Sequence, residues 1–485
     1  MLEIESHRYL KQFLRDNQLE WKHVFAFGRL LSRSLRKNDN YLINSEIFKT
    51  NKWMPALLIS LFLNPKNTVC IMTEKNLNNI LLSYLSPIQK LGFDFTKVNN
   101  ELILKTHKII FISYHEFIHR KFNSHNLQKQ SFIFIEAENL KNNLKEASKL
   151  SLFKKDWFNA TPLDSESKEE LIRTYNVLKK KFFLKFISNQ TKICLDENDI
   201  KTLKYIFTKY SHLSKQFLNI KLALLSDWAC WVVLDNEKFE WALKLEPVNP
   251  ISLIKPLSTA NHVIFLSSLR EDYFLQKYLK TADFKINLTV SFKSDFPEQD
   301  ILIYIPTRQL LPNNPLFTES TFDKCNKIFL LSKGTTIILS NEINLKKFIA
   351  TKLASIYGRK VLLERIPNTK NNRLIICSSF DWWIQNLHLI KIPDQIIIPL
   401  LPIPDMSEPV NQITASFNKK LSQDWFREFM IPDTFEKLDK SVAPLRMNSG
   451  KLFFLDGRVN YRKWGRDLIE MIHPSKYIHQ LIPFE

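Results

Sequence analysis

Lys49, Thr50 and Lys52 sit in a turn between an apolar run at residues 41–43 and a second at 53–59. Two ammonium groups and a hydroxyl between a strand and a helix are side chains suited to holding phosphate and a magnesium ion. The turn reads Asn44-Ser45-Glu46-Ile47-Phe48-Lys49-Thr50-Asn51-Lys52 and contains no glycine. Phosphate loops use glycine because backbone N–H groups must curl round phosphate oxygens in conformations that a Cβ disfavours. This chain has seven glycines in 485 residues, none between Gly28 and Gly92 or between Gly92 and Gly334. The scaffold of a phosphate loop is therefore predicted with its loop chemistry gone. An ordinary strand-to-helix turn accounts for the same residues.

A second set of residues points to polyanions. Lys179-Lys180-Lys181-Phe182-Phe183-Leu184-Lys185-Phe186 interleaves cations with aromatic rings. Exposed rings in such a run stack on bases, whereas at helical spacing they fill a core and leave the lysines solvated. Arg458, Arg462, Lys463 and Arg466 form the densest arginine-containing group, fit for phosphate contact or for a solvated surface. Overall, 69 Lys+Arg against 49 Asp+Glu give +20. That excess favours nucleic acid first and an acidic membrane second, and compositional bias alone would also produce it. Cys70, Cys194, Cys230, Cys325 and Cys377 are scattered singly, so no metal or iron–sulfur centre is predicted. Dispersed thiols fit a reducing compartment. The longest apolar run, residues 53–63, is far short of the ~20 residues that span a bilayer, and no signal-peptide pattern opens the chain. A soluble, cytoplasmic protein without a membrane partner is expected.

These residues need elements to position them. The length suggests two to four domains. Residues 7–35 have helical spacing, with Phe25, Leu30, Leu31 and Leu35 beside Arg29, Arg33 and Arg36. Buried-type strands are predicted at 41–43, 68–72, 109–113, 132–135 and 263–266, with a helix at 77–91 closed by Gly92. Residues 142–246 read as helical and lysine-rich, an insertion in the first domain. Further strands are predicted at 301–305, 336–340, 361–363, 374–377, 395–398 and 451–455, with helices at 345–357 and 424–430. The fold class is α/β, two parallel-sheet domains in tandem with a helical insertion in the first. The predicted divisions are 1–141, 142–246 and 247–287 for the first domain with its insertion, and 288–485 for the second.

In that order the landmarks resemble superfamily 2 helicases of the DinG branch, relatives of XPD. Leu401-Pro402-Ile403-Pro404 with Glu408-Pro409-Val410 resembles the family's LPFP…dPv segment. Asp424-Trp425-Phe426 through Ile431-Pro432 resembles its yxLPeA helix, and Leu455-Asp456-Gly457-Arg458-Val459 with Trp464-Gly465-Arg466 resembles LDgRv…YGr. Phe134-Ile135-Glu136-Ala137-Glu138-Asn139-Leu140 sits at the DEAHnL position, Phe265-Leu266-Ser267-Ser268-Leu269 at TSATL, and Ser378-Ser379-Phe380-Asp381-Trp382-Trp383 at GSFWEG. The resemblance covers most of the chain outside the insertion and implies RecA-like domains, ATP and Mg²⁺ as cofactors, and a single-stranded DNA partner.

The departures all fall on the ATPase parts. Ile135 replaces the Mg²⁺-binding aspartate and Glu138 the histidine, leaving Glu136 as a vestigial catalytic carboxylate. The QxxGRxxR motif has no Gly-Arg, and Arg446 stands for its second arginine alone. An arginine finger contributes about 10³–10⁵ in rate, so its loss together with the phosphate loop removes useful hydrolysis. The iron–sulfur cysteines of many relatives are absent. For nucleic acid the candidates are His115, Lys179, Lys180, Lys181, Trp382, Trp383, Arg458 and Arg466. The expectation is a DinG-like homologue that binds nucleic acid with lost or greatly weakened ATP hydrolysis. The alternatives are an active helicase using Lys49, Thr50 and Lys52, and a protein–protein scaffold on the same fold.

Overall fold

Short runs of Val, Ile, Leu and Phe without polar alternation suit strands covered on both faces, and here they form two parallel sheets. The computed structural model describes residues 2–17, 21–50, 52–74, 76–77, 83–123, 130–159, 164–185, 191–269, 272–293, 299–367 and 373–479. It divides into two units, Met1–Ser294 with Met406–Lys420, and Asp295–Asp405 with Leu421–Glu485.

In the first unit six parallel strands lie in the order Leu288–Ser291, Tyr41–Asn44, His262–Ser267, Ser131–Ile135, Thr68–Met72 and Lys108–Ser113. An antiparallel hairpin, Thr96–Val98 and Glu101–Ile103, extends the last of them. Its three-residue strands were too short to register as a pattern in the sequence. Helices Leu2–Asn17, Val24–Lys37 and Met54–Leu63 cover one face, burying Phe13, Phe27, Leu31 and Leu57. Tyr114–Asn123, Leu140–Ser148 and Tyr273–Thr281 cover the other with Phe117, Leu144 and Leu279.

The boundary expected at 288 moves. Leu288–Ser291 pairs in parallel with Tyr41–Asn44, so the first unit runs through this strand. Residues 406–420, expected in the second domain, also belong to the first unit. Their helix, Pro409–Lys420, follows Glu408, whose carboxylate meets Lys192 Nζ at 2.5 Å, and Cys194 Sγ lies 3.2 Å from Gln412 Oε1.

The insertion has its helices, among them Ser165–Leu184, Glu197–Lys209 and Lys215–Leu224. It also contains an antiparallel sheet that the helical reading missed, ordered Leu150–Leu152, Glu240–Pro247, Trp228–Asp235 and Lys192–Cys194. Short apolar stretches there fit helix and strand equally by periodicity, and cross-strand pairing around Trp241 and Val232 decided between them.

In the second unit seven parallel strands follow the order Val361–Leu363, Ile375–Ser378, Thr336–Leu339, Gln395–Ile398, Lys451–Phe454, Ile301–Tyr304 and Ser475–Tyr477. Phe317–Leu330 and Ile343–Tyr357 pack one face, while Phe380–Asn386, Ile431–Val442 and Lys463–Met471 pack the other. Phe426–Met430 is a single π-helical turn leading into Ile431–Val442.

Candidate nucleotide and nucleic-acid site

Four backbone donors in the turn after Tyr41–Asn44, those of Ile47, Phe48, Thr50 and Lys52, are bonded within it. Ser45 Oγ accepts from Ile47 N–H at 3.4 Å and its carbonyl from Phe48 N–H at 3.1 Å. Ile47 O accepts both Thr50 N–H, at 2.9 Å, and Thr50 Oγ, at 2.8 Å. Thr50 Oγ in turn accepts from Lys52 N–H at 3.3 Å. The result is a 3₁₀ turn, Glu46–Lys49, in which the bonded amides of Ile47 and Phe48 are taken by Ser45. The Phe48 ring is buried edge-on to Trp53, with centroids 5.0 Å apart, and 5.4 Å from Phe27. The Trp53 indole N–H is fixed on Thr50 O at 2.7 Å. Pro55, in the first turn of Met54–Leu63, removes one more N–H from the helix start. Thr50 and Lys52 are exposed, and the Lys49 side chain lies outside what the structure describes.

The two acidic-motif positions that would serve Mg²⁺ and water are packed or already bonded. Ile135, at the position of the metal-binding carboxylate, is a core side chain with 2% exposure. Glu136 has a left-handed backbone (φ 60°), and its carboxylate is already engaged by Thr73 N–H at 3.0 Å and Asn76 Nδ2 at 2.6 Å. It ties the ends of two neighbouring strands together. Among the described residues no group of three or more His, Cys, Asp or Glu is arranged to hold a metal.

Glu138 is the residue the sequence reading undervalued. Its carboxylate accepts from Ser268 N–H at 2.9 Å and Ser268 Oγ at 2.7 Å, joining the turns after Ser131–Ile135 and His262–Ser267. Ser267 Oγ donates to the buried Asp272, which caps Tyr273–Thr281. A carboxylate in place of histidine, opposite a Ser-Ser pair, was the available signal. Asn44 belongs to the same edge, with Nδ2 3.3 Å from Ser291 Oγ.

The nucleic-acid candidates separate into structural and exposed groups. Phe182 is fully buried and Phe183 packs on the same core, so residues 179–184 form an amphipathic helix face; Phe186 lies outside the described residues. Lys181 is held by Asp199 at 2.6 Å and Asp196 at 3.0 Å, while Lys180 is exposed and Lys179 half-buried. The Asp199 backbone N–H, with Lys185 and Lys181, holds the Asp196 carboxyl below its usual range. Trp383 is a core residue whose indole donates to Ser441 O at 2.9 Å, which excludes it as a stacking surface; Trp382 is half-buried against the same cluster.

Arg458 grips the fully buried Asp456 through Nε at 3.0 Å and Nη2 at 2.6 Å, and Asp456 also accepts from Leu401 N–H at 3.0 Å. That guanidinium is a strut. Arg446 is paired with Asp439 at 3.1 Å. Arg466 is exposed.

His115 is exposed at the start of Tyr114–Asn123. His115-Glu116-Phe117-Ile118-His119 has the spacing of a two-histidine metal helix, its rings 6.4 Å apart. Glu116 is paired with Arg120 at 2.6 Å, and Lys215 Nζ lies 3.0 Å from His119 Nε2.

No family model matches the chain, and no curated protein matches it. Solved structures do. The chain is similar to an apo XPD structure with TM-score 0.58 at 15% identity, over 93% of this chain and 99% of that one. It is similar to an XPD helicase structure with TM-score 0.57 at 14% identity, covering 95% and 99%. It is also similar to S. tokodaii Xpd4, with TM-score 0.55 at 13% identity, covering 94% and 100%. The fold is therefore that of these XPD structures, with two parallel sheets of RecA-like type and an insertion in the first.

Proposed function

We propose that this chain binds nucleic acid, single-stranded DNA foremost, on an XPD-type fold and does so without turning over ATP. The observation that supports it most is the turn at 45–52, where N–H groups are spent on Ser45, Ile47 and Thr50 while Phe48 fills the space. Ile135 and the engaged Glu136 carboxylate agree with it. Exposed Lys180 and Arg466, with the net charge of +20, support the nucleic-acid half. Five unpaired cysteines suit action in the cytoplasm, and no described helix is long and apolar enough to cross a membrane.

The test is a fluorescent-nucleotide titration with Mg²⁺, with and without single-stranded DNA, beside an ATP-hydrolysis assay. No saturable nucleotide binding is expected, and turnover should equal that of a Glu136→Gln variant. Mutation-sensitive hydrolysis would restore the enzyme reading built on Lys49, Thr50 and Lys52.

A protein-partner reading keeps one supporting observation. Leu218, Leu222 and Leu225 are exposed at helical spacing on the insertion. DNA affinity that is absent at low salt would favour it.

A further inference from the structure

We infer that the rim formed by the starts of the first sheet's parallel strands, opposite the candidate site, is a second docking surface for a nucleic-acid backbone. The inference rests on the nucleic-acid reading above and places a contact where that reading has none. Because the strands are parallel, their N-terminal ends share one edge. Lys285 precedes Leu288–Ser291, Arg33 and Lys37 close the helix before Tyr41–Asn44, and Lys66 precedes Thr68–Met72. Lys105 lies in the turn Leu104–His107 that leads into Lys108–Ser113, and Lys108 opens that strand. Six strands at ~4.8 Å spacing make this edge about 24 Å wide, room for several consecutive phosphates.

Lysines elsewhere in the unit are of both kinds: Lys168, Lys180 and Lys201 are exposed without a carboxylate partner among the described residues. On the insertion Lys154, Lys181 and Lys209 each meet a carboxylate within 3.0 Å. None of the six rim cations has a carboxylate partner among the described residues, and five are exposed, with Lys66 half-buried against Asn38 Oδ1 at 2.7 Å. The nearby acids are few: Glu3 is taken by Arg36 at 2.6 Å, Asp283 by Lys255 at 2.7 Å, and Asp39 is half-buried. The helix Val24–Lys37 extends the surface, since Arg29, Arg33, Arg36 and Lys37 are exposed and it contains no acidic residue. Arg29, Arg33 and Lys37 recur every four residues, a step of ~6 Å along one face.

A surface with many cations and few free carboxylates attracts phosphate through counterion release and reads no sequence. An acidic membrane would need apolar side chains to insert among the lysines. Leu288, at 37%, and Ile4, at 67% beside the Glu3 that Arg36 holds, are isolated exposed hydrophobics there. The balance favours nucleic acid.

The experiment compares the full chain with an Arg33→Gln/Lys37→Gln/Lys66→Gln/Lys108→Gln variant, titrating single-stranded DNA across salt concentrations. Loss of four phosphate contacts should reduce the log–log salt slope by about 3. A Lys154→Gln/Lys209→Gln control should keep the wild-type slope, and thermal melting should show both variants folded. An unchanged slope in the rim variant overturns the rim while leaving nucleic-acid binding intact. An equal fall in the control overturns it as a net-charge effect. No DNA binding by the wild type overturns both readings. Binding to phosphatidylserine vesicles that the rim variant loses would reassign the surface to lipid.

Discussion

The turn at 44–53 in the first unit and the segment at 455–466 in the second treat glycine in opposite ways. In the second, a Cβ on Gly457 would lie 2.8 Å from Gln309 O, and one on Gly465 would lie 2.1 Å from Val459 O. Backbone packs against backbone there, and both glycines stand. In the first, the glycines would serve a ligand rather than the chain itself, and Ile47 and Phe48 occupy the turn. Glycine stands where internal packing demands it, and the turn at 44–53 has none. The arginines follow the same division: Arg458 supports buried Asp456, and the Gly-Arg pair expected before Arg446 is absent.

Four changes would break or sharpen this contrast. Phe48→Ala should have the largest effect, about 4 kcal/mol lost in denaturant unfolding, because the ring is part of an aromatic core. Nucleotide affinity should not appear; if it did, Phe48 would be a plug and not a core residue. Gly465→Ala should cost about 2–3 kcal/mol by overpacking against Val459, read as a lower melting temperature. A neutral outcome would mean the glycine is not held by packing.

The third change is pH. Burial pushes His262 down to about 4, among Ser34, Ser131 and the Asp39 carbonyl. An unfolded histidine titrates near 6.5, so below that pH the unfolded chain takes up a proton that the folded one refuses. Stability should be full above pH 6.5, fall by on the order of 3 kcal/mol toward pH 4, and level off below. His262→Gln should flatten that slope in the first unit's unfolding; an unaltered slope would place the pH response elsewhere. The smallest effect is Glu138→Gln, expected to cost about 1–2 kcal/mol through its bonds to Ser268. Rescue by Ser268→Ala in a double-mutant cycle measures that link directly.

Much of the scaffold was legible in short apolar runs. Residues 41–43, 68–72, 132–135 and 395–398 all became central strands, because hydrocarbon covered on both faces leaves an unbroken signature. Leu288–Ser291 was assigned to the wrong domain because an exposed edge strand has no such signature. Trp382 and Trp383 are indistinguishable as letters, yet helix geometry buries one and leaves the other half-exposed. The Lys-Phe run at 179–186 was readable as either a stacking surface or a packed face, and Trp241 beside Phe182, centroids 5.2 Å apart, selected the packed face.

Sequence alone determined that this chain would build two parallel sheets and that its first turn lacked glycine. Both are local properties, of hydrophobic runs and of backbone freedom at single positions. Tertiary structure decided which charges are struts and which are available. Asp199 beneath Lys181, the Leu401 N–H on Asp456 and the carboxylate-poor rim around Lys37 each join residues that are not sequence neighbours. Pairing of charge is a property of the folded neighbourhood, set by distances that no linear spacing encodes.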